Sequence, residues 1–93
     1  MLKADDVNLD VGEMIMTVGK EPETIEYNKL EKLVMSVEPV KKLFSTKEVK
    51  KIEVHVRGKD ETYCIASDKV ADYNNIEEYL LQMAKKYQIE VDR

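Results

Sequence analysis

Apolar positions along the chain fall into three patterns. Val7, Leu9 and Val11 alternate with Asp6, Asn8 and Asp10, the period-two signature of a half-exposed strand. Gly12 shifts the phase, and Met14, Ile15, Met16 and Val18 make residues 13–18 apolar on both faces, as in a covered or central strand. Gly19-Lys20-Glu21-Pro22 reads as a turn, and Thr24-Ile25-Glu26-Tyr27 alternates again, so a hairpin partner is expected there.

From Asn28 the spacing changes. Asn28 and Glu31 have the form of a helix capping box, and Leu30, Leu33, Val34 and Val37 recur at helical intervals. Pro39 suits the first turn of a second helical piece running to about Ser45, with Val40, Leu43 and Phe44 facing the core. Ile52, Val54 and Val56 then alternate with charged residues and form the clearest strand of the chain. A turn at Gly58-Lys59 or Lys59-Asp60 returns Glu61–Ser67 as its partner, with Tyr63 and Ile65 on the face of Val54 and Val56. After a polar loop at 67–74, Asn75 and Glu78 cap a final helix with the stripe Ile76, Leu80, Met83, Ala84 and Tyr87.

These elements predict an α+β fold in the order ββαββα: a four-stranded, mainly antiparallel sheet with two main helices. The echo between Gly19-Lys20-Glu21 and Gly58-Lys59-Asp60 agrees with a doubled ββα unit. The alternative starts the first helix near Thr24 and makes Ile89–Asp92 a last strand, which is the ferredoxin-like order βαββαβ. With 93 residues the chain is expected to form a single domain, residues 1–10 being an extended or loosely attached segment. If Met14 and Met16 lie opposite the helices, they leave an apolar sheet face that a homodimer would cover.

Charge changes this picture in one place. The net charge is −4, spread as −3 over residues 1–13, −2 over 14–40 and −3 over 52–93, while residues 41–51 carry +4. That basic segment holds Lys41, Lys42, Lys47, Lys50 and Lys51 against Glu48 alone. It is the candidate contact patch for an acidic partner or a nucleic-acid backbone. The acidic remainder argues against non-specific duplex binding, and 13 of the 15 basic residues are Lys, which cannot form the forked contacts of Arg.

Composition and motifs exclude more than they assign. One Cys rules out a disulfide scaffold, no apolar run is long enough to span a membrane, and no membrane partner is expected. MLKADDVNLD lacks the apolar stretch of a signal peptide, so a cytoplasmic location is expected. Phosphate-cradling glycine motifs are absent. Asp6–Asp10 imitates the start of a calcium loop, but Val11 stands where that loop needs Gly, and Thr17 where it needs Glu. His55 and Cys64 share a hairpin face, and one register would set them directly opposite as a thiol–imidazole pair, with Glu53 as orienter. No oxyanion donor accompanies them, and one His with one Cys falls short of a zinc ligand set. The expected function is therefore a small acidic, non-enzymatic protein-interaction or regulatory module, an adaptor or an inhibitor, without cofactor. The alternatives are nucleic-acid binding through Lys41–Lys51 and a thiol enzyme using Cys64 and His55.

Overall fold

The computed structural model describes residues 1–93 and contains two β-sheets and one α-helix. Strands β1 (Leu2–Lys3), β2 (Asp6–Leu9), β3 (Glu13–Val18) and β4 (Glu21–Glu26) lead through a short 3-10 turn (Tyr27–Lys29) into the long strands β5 (Leu30–Lys42) and β6 (Ser45–Val56). After these come β7 (Thr62–Ala66), helix α1 (Tyr73–Tyr87) and β8 (Glu90–Asp92). One sheet has the order β1-β7-β6-β5-β8, and the other β2-β3-β4.

This overturns both expected orders. The sheet is five-stranded and accompanied by a second of three strands, and there is one main helix where two were expected. The error lies at residues 28–45. Between Leu30 and Lys32 the pairing with β6 shifts by one residue: Leu30 faces Val56, Lys32 faces His55 and Leu33 faces Val54. Glu31 is the extra residue of this bulge. A bulge reverses the side-chain phase of a strand, so Leu30 and Leu33, three apart, both enter the core. That spacing is what imitates a helix. Val34, Val37 and Val40 are β-branched and fit a strand beside β6 better than a helix. Pro39 starts no helix; it sits where β5 has no neighbour but β6, the edge position that tolerates a missing N–H.

Elsewhere the pattern is realised with shifts. Strands β3 and β4 pair as a hairpin around Gly19 and Lys20, both at positive φ, and β3 is the central strand of its sheet. Val54 faces Tyr63 and Ile52 faces Ile65 across β6 and β7. Helix α1 starts at Tyr73, two residues before Asn75, after a left-handed Asp72 whose side chain makes no capping bond. Its last turn carries Lys85 and Lys86, matched to the helix dipole. Strand β8 runs parallel to β5 at Lys32–Val34.

The amino-terminal segment joins the two sheets. β1 pairs with β7, the Ala4 N–H donates to the Cys64 carbonyl at 2.9 Å, and the Asp5 N–H donates to the Thr17 carbonyl at 2.8 Å. Both sheets and α1 then close on one cluster of 18 buried residues, which includes Met14, Met16, Ile25, Tyr27, Leu33, Ile52, Val54, Ile65 and Leu80. The Tyr27 and Tyr79 rings meet tilted, with centroids 5.6 Å apart. No helix is long and apolar enough to cross a membrane.

Candidate interaction site

The two longest strands outrun the sheet that contains them. Strand β8 covers the β5 edge only at Lys32–Val34, and β7 covers the β6 edge only at Lys51–His55. Ser67 extends that cover by one residue. Its N–H donates to the Lys50 carbonyl at 2.8 Å, and its hydroxyl accepts from the Lys50 N–H at 2.9 Å. Past this clamp, Glu38–Lys42 and Ser45–Val49 pair only with each other. Five paired residues at about 3.4 Å each give a projecting arm of roughly 17 Å, within a molecule 43 Å in its longest dimension. Val49 is buried at the root, and every residue from Ser36 to Glu48 is exposed.

Lys42 pairs with Ser45, so Leu43-Phe44 is a two-residue turn at the apex. Such turns usually take positive φ at a Gly or Asn, yet neither Leu43 nor Phe44 has positive φ. Their side chains stand 90% and 95% exposed. Two adjacent large apolar residues at nearly full exposure, on a free apex, gain nothing from the fold. They were expected to face the core, and the structure places them away from it.

The five lysines of the basic segment separate by position. Strand alternation puts Lys42 and Lys47 on one face of the arm near the apex, and Lys41 on the other. Lys50 lies at the root, on the rim of an open groove lined also by Met35, Val37, Glu77, Leu81 and Arg93. Lys51 is bonded to the Glu38 carboxylate, which holds the ammonium above and the carboxyl below their ordinary pKa values. So Lys41, Lys42 and Lys47 are gathered around the apex, while Lys50 and Lys51 belong to its base.

Met14 and Met16 are each 0% exposed. The apolar face imagined for a dimer assumed a single sheet, whereas here the second sheet and α1 share one core with those methionines. Both side chains therefore lie inside the protein and form no open apolar sheet face. His55 faces Thr62 while Cys64 faces Glu53, so the directly opposed register is not the one adopted. The His55 ring lies 3.5 Å from Glu53, and Cys64 is buried, which pushes its thiol pKa up and disfavours the nucleophilic thiolate. Asp6, Asn8 and Leu9, from the calcium-like stretch, lie in β2 and pair with β3. No group of three or more His, Cys, Asp or Glu side chains is placed to hold a metal ion.

Sequence reasoning assigned Leu43 and Phe44 to the core and missed their exposure at the apex. The signal available was an apolar pair flanked by lysines on both sides, in Lys41-Lys42-Leu43-Phe44-Ser45-Thr46-Lys47. No family model matches the chain, and neither a curated protein nor a solved structure matches it significantly.

Proposed function

We propose that the protein is a small non-enzymatic interaction module, an adaptor or regulator, whose contact element is the β5–β6 arm. The observation that carries this reading is the exposure of Leu43 and Phe44 at the end of a lysine-bearing projection. Burying both against a partner is worth about 1.5–3 kcal/mol per side chain. The folded body supplies no such burial. The acidic remainder keeps the chain dispersed and leaves residues 41–51 as its one basic feature, +4 against −8 for everything else.

The test is capture from a lysate that retains its membranes, with and without nuclease. The full chain is compared with a variant in which Val40–Lys47 is replaced by an Asn-Gly turn joining Pro39 to Glu48. Whatever the full chain retains, the shortened chain should lose. Identical capture by both would overturn the reading.

Nucleic-acid binding is the second reading, favoured by the two-stranded ribbon shape, which fits a major groove. It should show a steep salt dependence that flattens when Lys41, Lys42 and Lys47 are replaced by Ala. An apolar apex contributes nothing to contacts with a phosphate backbone, which places this reading second.

A further inference from the structure

We infer that the arm docks on an anionic lipid surface, with Leu43 and Phe44 entering the boundary between headgroups and acyl chains. This rests on the reading of the arm as the contact element and names what it contacts. The absence of a membrane-spanning helix is no obstacle, because a surface anchor needs only an apolar insertion and a basic surround.

Three observations converge on it. First, the apolar residues sit at the very apex, where an object meeting a plane touches first, and both are almost wholly exposed. Second, the lysines form a collar. Lys42 and Lys47 lie on one face and Lys41 on the other, all within three residues of the apex. A ribbon reading a nucleic-acid groove would be served by a stripe along one face. A collar instead lets each ammonium reach the headgroups from its own side while its methylenes follow the apex inward. Third, charge is segregated along the arm. No acidic residue lies between Pro39 and Lys47; the nearest are Glu48 and Glu38, set back toward the root. The chain outside residues 41–51 carries −8. Most of that charge stands roughly 17 Å or more behind the apex, about two Debye lengths of 8 Å at physiological salt. Its repulsion is therefore screened where the lysines act.

The full chain lacks Trp, so Phe44→Trp places a single reporter at the apex. The probes are vesicles of phosphatidylcholine containing a large minority of phosphatidylserine, and vesicles of phosphatidylcholine alone. The expected result is co-sedimentation with the anionic vesicles, weakening as salt rises, with a blue-shifted and quencher-protected indole emission from the Phe44→Trp variant. Leu43→Ser with Phe44→Ser should lower the vesicle partition coefficient by about tenfold or more. Charge reversal of Lys41, Lys42 and Lys47 to Glu should abolish the preference for the anionic vesicles. Thermal unfolding of these variants should match the parent, since every altered residue is exposed.

Absence of binding to anionic vesicles would overturn the inference. So would binding that the serine pair leaves intact, or that leaves the indole emission unshifted, because each means adsorption without insertion. If vesicles fail while arm-dependent capture of a protein or a nucleic acid persists, the lipid surface is excluded and the arm remains the contact element. If neither depends on the arm, both readings fall.

Discussion

Strands β5 and β6 pass through two environments without a break. Along Leu30–Met35 and Ile52–Val56 their inward positions include Leu33, Val54 and Ile52, sealed in the core shared with the second sheet and α1. Along Pro39–Lys42 and Ser45–Glu48 the same ladder continues with both faces exposed, and Val, Lys and Glu are mixed along it. The backbone bonds are the same kind in both regions, so bonding does not distinguish them. Burial does. In the body each side chain has one acceptable side, and the bulge at Glu31 lets Leu30 and Leu33, an odd number of residues apart, both keep to it. On the arm no side is preferred, and side chains are free to answer to something outside the molecule.

Changes to the body should therefore cost stability and changes to the arm should not. The sharpest contrast puts the same substitution on the same strand twice. Leu33→Asp buries an unpaired carboxylate in the core and should abolish cooperative folding or collapse the urea midpoint, whereas Val40→Asp should leave that midpoint almost unmoved. Equal effects at the two positions would mean that the strand is one environment, not two. Ile52→Ala, at the sheet centre, should cost about 2–5 kcal/mol in the same measurement.

Alkali probes the body through its tyrosines. Burial raises the Tyr27 and Tyr63 pKa values from 10.0 to about 12. A raised folded pKa means that stability is fully present below the unfolded value of 10.0 and is lost as pH climbs toward about 12. The melting temperature should fall through that window, and Tyr27→Phe should flatten the decline.

A smaller effect lies at the junction of the two sheets. The Asp5 carboxylate accepts from the Gly19 N–H at 3.0 Å and meets Lys69 at 3.0 Å; Lys69 first, then Gly19, holds its pKa below the ordinary carboxylate value. Its contribution is present above the unfolded carboxylate pKa and disappears as pH falls through the lower folded one. Asp5→Asn should thus destabilise slightly at neutral pH, and parent and variant should converge in acid. At the far end of the scale, Leu43→Ser and Phe44→Ser should change folding stability by no more than about 0.5 kcal/mol. A clear destabilisation there would mean the apex is held by the body after all.

The β3–β4 and β6–β7 hairpins were legible because each joins alternating positions through a glycine turn: Gly19 and Gly58 both adopt positive φ. The arm was not legible for the complementary reason. Its turn is Leu43-Phe44, without Gly or Asn, and its strand enters through a bulge that counterfeits helical spacing. The lysines were singled out from charge alone, but their division into an apex collar and a root pair depends on register.

The sequence by itself determined which residues favour leaving water and where charge collects, because hydrophobicity and charge belong to each residue regardless of its neighbours. Strand parity within β6 and β7, and the amphipathic stripe of α1, followed from local periods of about two and 3.6 residues. Only the tertiary structure decided that Met14 and Met16 enter a core built from two sheets, that Leu30–Lys42 is a strand, and that β5 and β6 project beyond their neighbours. Each of these depends on which distant segment comes to lie alongside, and that choice is made by the shared core, where residues from both sheets and the helix are buried together.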